Sequence, residues 1–133
     1  MPMVDQLETH PYLHQHAPIG YGRQHNILIE AWSPLMVGGE ALHDSVITAI
    51  AQRHGKSPAQ TILRWHTQNG FAVIPKSANE DRIRENFNIF DFTLSQQEMQ
   101  AMNELTQKNV RVGDDPLTYQ FKLLAQLQEE GWI

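Results

Sequence analysis

The stretch from Ser57 to Asn86 constrains the fold more than any other part of this chain, because it carries its own punctuation. Ser57 reads as a helix N-cap, Pro58 as the first helical residue, and Gln60 completes a capping box. The helix runs through Ile62, Leu63 and Trp65 and stops at Gly70. Residues 71–74 form a short apolar run that ends at Pro75 and reads as a strand. Lys76 and Ser77 open a loop, and Asn79 caps a second helix with Glu80 and Asp81 in its first turn. Arg82, Glu85 and Asn86 lie on one flank of that helix. Two cations and a hydroxyl at the mouth of a helix make an anion site with a direction: strand end, loop, positive helix end.

The same alternation extends toward the N-terminus. Residues 3–9, bounded by Pro2 and Pro11, are expected to form a strand, and 27–31 a second one closed by Ser33-Pro34. Between them, 16–25 is expected to be a helix that Gly20 and Gly22 weaken by roughly 1 kcal/mol each. Asp44 caps a helix over 45–53 with Val46, Ile47, Ile50 and Ala51 inward. Ser95 and Glu98 form another capping box ahead of Met99, Met102 and Leu105. A turn at 113–116 precedes an amphipathic run with Leu123, Leu124 and Leu127, which with Trp132 offers a packing face. Strands alternating with helices imply parallel pairing and right-handed crossovers.

Composition removes several function classes. A chain of 133 residues with no cysteine has neither disulfides nor thiolate metal sites, and it is long enough for one modest core. No apolar run approaches the ~20 residues that span a bilayer, and the N-terminus has no basic region followed by an apolar core. The cytosol is therefore the default location. The net charge of -5 disfavours nonspecific nucleic-acid binding, so a bound phosphate has to be met by local cations. His10, His14 and His16 have spacing that suits a metal, but Pro11 breaks the helix they would share, and no metal is assigned.

Six stretches match one family in its own order: 5–13 (DQLETHPYL), 27–35 (ILIEAWSPL), 54–70 (HGKSPAQTILRWHTQNG), 74–87 (IPKSANEDRIRENF), 90–105 (FDFTLSQQEMQAMNEL) and 113–116 (GDDP). On these the chain resembles the C-terminal portion of an aldo-keto reductase, an NADPH-dependent (β/α)8-barrel enzyme. The resemblance is greatest to the bacterial branch that reduces diketogluconates, methylglyoxal and related carbonyls. It implies an α/β fold: a partial TIM barrel comprising the last three parallel strands with their helices, as one truncated domain over 1–133 with a variable tail over 118–133. A barrel of this type runs to about 250 residues. Met1, directly before the strand carrying Gln6, points to an internal start or a truncated gene.

The resemblance also implies a site for NADPH. Gln6 would hold the nicotinamide carboxamide, beside Asp5 where relatives usually have Asn. Trp32, where Tyr is commoner, would stack on the nicotinamide ring, and Ser33 and Leu35 would line the pyrophosphate. Lys76, Ser77, Asn79 and Arg82 would grip the 2′-phosphate, and Glu85 and Asn86 would contact the adenine. Met36-Val37-Gly38-Gly39 stands where relatives often carry a small, Gly-rich strap. The family's catalytic tyrosine, lysine, aspartate and histidine belong to the first half of the barrel. Tyr12, Tyr21 and Tyr119 fall outside the catalytic motif, so no catalytic residue is assigned.

From the residues alone, plainer readings stand beside these. Lys76 and Arg82 suit a solvated charge pair, Trp32 a core aromatic at a strand end, and Gln6 an exposed strand residue. Function divides accordingly into an oxidoreductase remnant without turnover, a non-catalytic nucleotide-binding module, and a half-barrel that through two open sheet edges self-associates or pairs with a complementary N-terminal half, the completion a small-molecule carbonyl substrate would require. The barrel-interior face, expected to include Leu7, Ile29 and Val73, is left without helices.

Overall fold

The structure is a computed structural model that describes residues 1–131 and, within them, the side chains of all but residues 120–122. Strands β1 (Val4–Glu8), β2 (Leu28–Trp32) and β3 (Ala72–Val73) form one parallel sheet in the order β1-β2-β3. Helix α1 (His16–Gln24) connects the first two strands, and α2 (Ser45–His54) with α3 (Pro58–Gln68) the next two. Helices α4 (Glu80–Phe87), α5 (Gln96–Glu104) and α6 (Pro116–Glu129) follow. This is a partial (β/α) barrel. The strand over 71–74 is shorter than expected, because only Ala72 and Val73 pair with β2, opposite Glu30 and Ala31.

Local signals fix the helix starts. Asp44 accepts from the N–H groups of Val46 and Ile47 at 2.8 and 3.4 Å. Ser57 with Gln60 and Ser95 with Glu98 both close reciprocal capping boxes, and Asn79 accepts from the Arg82 N–H. Such caps are worth about 1 kcal/mol each. Gln60 reaches further: its Nε2 donates to the Glu85 and Asn88 carbonyls at 3.1 and 2.9 Å, tying the start of α3 to the end of α4.

Two apolar clusters hold the fold. The larger joins α2, α3 and α5 around Trp65, Ile47, Ile50, Ile62 and Met102, and Trp65 Nε1 donates to Asn103 at 2.8 Å. The smaller packs Ile19, Ile29, Phe71 and Leu7 between α1 and the sheet. Gly22 permits that second contact, since a Cβ there would lie 2.7 Å from Ile29 Cδ1. The residue that weakens α1 as a helix is therefore what lets it lie against β2.

The strand faces reverse the sequence-based expectation. Leu7 and Ile29 belong to the helix-covered cluster, and Val73, paired with the fully buried Ala31, shares their face. The opposite face alternates with them and carries Val4, Gln6 and Glu8 on β1 and Leu28, Glu30 and Trp32 on β2. The expected apolar barrel lining is thus the helix-packing layer, and the uncovered face mixes three apolar with three polar side chains on β1 and β2. Beyond the sheet, α6 is helical as the amphipathic run suggested, with Leu123 and Leu124 exposed. Trp132, expected on the same packing face, lies outside the described residues. No helix among the described residues is long and apolar enough to cross a membrane.

Candidate functional site

At the carboxyl ends of β2 and β3 a groove of about 1190 Å³ opens between the loop after β2, the start of α3, and the loop leading into α4. Ser33, Leu35, Lys76, Ser77, Asn79, Arg82, Glu85 and Asn86 all line it. Gln6 and Trp32 do not; they sit beside it on the open face of the sheet, Trp32 immediately before Ser33. The groove also includes His43 and Thr48, which sequence reasoning did not single out.

The groove's cations stand apart electrostatically. Arg23, Arg53, Lys56, Arg64, Arg84, Lys108 and Arg111 all have a hydrogen-bond or ion-pair partner within the protein. Among the described side chains, Lys76 and Arg82 are the only Lys or Arg with none. The loop between them is shaped by its own polar groups. Ser77 Oγ accepts from the Asn79 N–H at 3.1 Å, and Asn79 Oδ1 accepts from the Arg82 N–H at 3.0 Å. Asn79 thus commits its oxygen to the cap and keeps its amide N–H₂.

The opposite wall is strained. Ser33, Met36, Val37 and Gly38 have φ of 52°, 51°, 56° and 78°. Left-handed backbone costs a non-glycine residue of order 1–3 kcal/mol and gathers at ligand-binding segments. Ser33 Oγ is buried there with no partner among the described residues.

On the open face the parallel register sets four side chains in two rows: Gln6 beside Glu30, and Glu8 beside Trp32. Gln6 Nε2 donates to Glu30 Oε1 at 2.6 Å. Glu8 is almost fully buried and accepts from the backbone N–H groups of Val112 and Gly113 at 2.5 and 2.9 Å, and it also bonds His10 Nε2 at 3.0 Å. This carboxylate holds the segment after α5 as a strap across the strand ends. Gly113 meets the edge of Trp32 so closely that a Cβ would lie 2.5 Å from Cη2.

A third cluster brings a tyrosine, an aspartate and a lysine together outside the groove. Tyr12 OH donates to Asp44 Oδ2 at 2.7 Å, and Lys108 Nζ donates to the Tyr12 oxygen at 2.8 Å and to Asp44 at 2.7 Å. Burial pushes the Tyr12 phenol above its ordinary value. Burial also works to raise Asp44, but the bonds from Lys108, Tyr12 and the α2 backbone outweigh it and hold the carboxylate low. A proton donor needs a lowered phenol pKa and access to substrate; Tyr12 is 2% exposed and lies outside the groove. The cluster ties the loop after β1, the start of α2 and the strap together.

Two other histidines pack into the fold. His66 is fully buried, with Nδ1 and Nε2 against the Ile62 and Thr9 carbonyls at 2.8 and 2.9 Å. His54 pairs with Glu98 at 3.0 Å. The His14 and His16 rings meet edge-on at 4.5 Å, and no group of three or more His, Asp or Glu among the described residues suits a metal ion.

Comparison with known proteins gives this geometry a context. The sequence model of the aldo/keto reductase family matches residues 1–107. This chain belongs to that family. It is 49% identical over 117 residues to the 9,11-endoperoxide prostaglandin H2 reductase of Trypanosoma cruzi, covering 86% of this chain and 41% of the relative. It is 50% identical over 115 residues to the glyoxal reductase of Bacillus subtilis, again covering 86% and 41%. A crystal structure of a Gox0644 variant in complex with NADPH superposes with a TM-score of 0.84 at 44% identity, covering 89% of this chain and 43% of that one. The chain therefore spans about two fifths of the length of the relatives it matches.

Proposed function

We propose that this chain binds NADPH, with the 2′-phosphate in the groove between Lys76 and Arg82, and that these 133 residues do not reduce a carbonyl by themselves. One observation carries the reading: in a chain of net charge -5, the two groove cations alone lack a protein partner among the described side chains. A dianionic phosphate supplies what they lack through charge-assisted hydrogen bonds. The buried Ser33 hydroxyl, without a partner among the described residues, and the strained loop beside it fit a wall built for a ligand. Asn79 N–H₂ and Glu85 add a donor and an acceptor suited to phosphate and to the adenine amine. NADPH would supply hydride; the residues here bind and orient it. The family's carbonyl substrates, glyoxal and methylglyoxal among them by the names of relatives, require a proton donor, and no phenol lines this groove.

Titration of the purified chain with NADPH, followed by tryptophan fluorescence and calorimetry, is the test. Binding is expected, with NADH weaker by tenfold or more. Lys76→Ala or Arg82→Ala should each cost about 1.5–3 kcal/mol of NADPH affinity, the range for hydrogen bonds to charged groups. Absence of binding at millimolar cofactor removes the proposal, and NADPH oxidation with methylglyoxal at the rate of an intact relative removes its second half.

A second reading follows from the sheet edges. β1 and β3 are outer strands in the order β1-β2-β3, and Val4 and Leu28 are each 46% exposed on the open face. Unpaired edges template further pairing. We accordingly propose that copies of the chain associate through these edges; a single-chain mass by light scattering at tens of micromolar would contradict it.

A further inference from the structure

We infer that Glu30 is a positioning residue for a primary carboxamide, acting through Gln6. The inference rests on the NADPH reading above and adds a second point of recognition, on the open face of the sheet rather than in the groove. Its basis is the row in which the register sets Gln6 beside Glu30, with Gln6 Nε2 donating to Glu30 Oε1 at 2.6 Å.

A glutamine amide has a donor end and an acceptor end of nearly the same shape, so its orientation is decided by its partners. An ionised carboxylate is a one-way partner, because it only accepts. Held to Glu30, the Gln6 amide must turn its nitrogen toward β2 and its carbonyl oxygen away. The neighbouring groups leave that arrangement uncontested. Glu8, the other carboxylate of the face, is taken up by the Val112 and Gly113 N–H groups and by His10. Asp5 alternates onto the other face of β1. No Lys, Arg or His is ion-paired with Glu30 among the described residues.

The consequence is a directed acceptor. Gln6 Oε1 is poised to accept from the N–H₂ of a carboxamide, while Trp32, two residues beyond Glu30 on the same face, offers a ring surface beside it. Had the amide been free to flip, it would meet an acetyl group equally well by donating to its carbonyl. Fixed by Glu30, it distinguishes a carboxamide from a methyl ketone.

Calorimetry with three ligands tests this: 2′,5′-ADP, NADPH, and the 3-acetylpyridine analogue of NADPH, in which a methyl replaces the amide nitrogen. The wild-type chain is expected to prefer NADPH over the analogue by about five- to tenfold, the worth of one hydrogen bond. Glu30→Gln, whose own amide both donates and accepts, should reduce that preference to about twofold or less while leaving 2′,5′-ADP affinity unchanged, and Glu30→Asp should restore part of it. Equal binding of NADPH and the analogue by the wild type overturns the inference, as does full preference retained in Glu30→Gln. Should Glu30→Gln fail to fold by circular dichroism, Glu30→Ala takes its place, with the same loss of preference expected and full preference overturning the inference. Loss of 2′,5′-ADP binding would remove the groove reading itself; tight 2′,5′-ADP binding with no gain from the nicotinamide half would overturn only the role of Glu30.

Discussion

The two faces of this small sheet solve opposite problems with the same strands. The covered face closes by packing: Leu7, Ile29 and Phe71 meet Ile19, and Gly22 brings α1 close enough to do so. The open face closes by pairing polar groups with one another, Gln6 with Glu30 and Glu8 with the strap backbone. One residue step along β1 separates a side chain that holds the molecule together from one that is free to meet a ligand. The difference teaches where to look for function in a strand-poor protein. Apolar contacts set no direction, so the face whose hydrogen bonds already have directions is the one on which the second point of recognition is proposed.

Acid gives the largest expected break between the two faces. On the covered side, His14 packs among His16, Trp65 and Phe71 with neither ring nitrogen bonded among the described residues, and His66 is enclosed beside Trp65. Burial, reinforced for His14 by His16 and Arg23, lowers both from 6.5 to about 4. The unfolded chain takes up these protons near pH 6.5, whereas the folded chain resists until about pH 4. Stability is therefore full above pH 6.5 and falls as the pH drops toward 4, by on the order of 3 kcal/mol for each histidine. Urea midpoints across this window measure it. His66→Gln with His14→Phe should flatten the slope; an unchanged slope would mean that the covered side is not what acid attacks.

What could be read from the sequence follows from distance along the chain. The caps at Asp44, Ser57, Asn79 and Ser95 each use partners within three residues, and all form. The groove residues between 74 and 86 were legible because they lie close together in the sequence and because the family resemblance joined them to Ser33 and Leu35, not because any periodicity did. Strand facing was not legible. In a five-residue strand, Leu7 is the correct alternate of Gln6 whichever side the helices occupy, and only the packing of Ile19 and Phe71 decides it. Glu8 was missed altogether, since its backbone partners lie 104 and 105 residues away. The tie between Tyr12, Asp44 and Lys108 spans separations of 32, 64 and 96 residues and has no local signature.

A smaller effect should come from the strap, and it sharpens the comparison at the open face. Gly113 has no left-handed backbone to explain it; what it lacks is room, because an added Cβ would lie 2.5 and 2.9 Å from Trp32 Cη2 and Cζ2 and 3.3 Å from Glu8 Oε2. Gly113→Ala therefore has to move the indole or lift the strap off Glu8, at a cost of about 1–3 kcal/mol, the usual range for overpacking. If the open face is a recognition surface ordered by the strap, this variant loses NADPH affinity while its 2′,5′-ADP affinity stays that of the wild type. Adding Trp32→Phe removes the ring edge that the new methyl strikes. The double variant should then recover most of the stability lost by Gly113→Ala, a coupling that a double-mutant cycle in urea reads directly. Simple additivity would show that strap and indole do not meet, and the open face would then carry its hydrogen bonds without being organised by the strap.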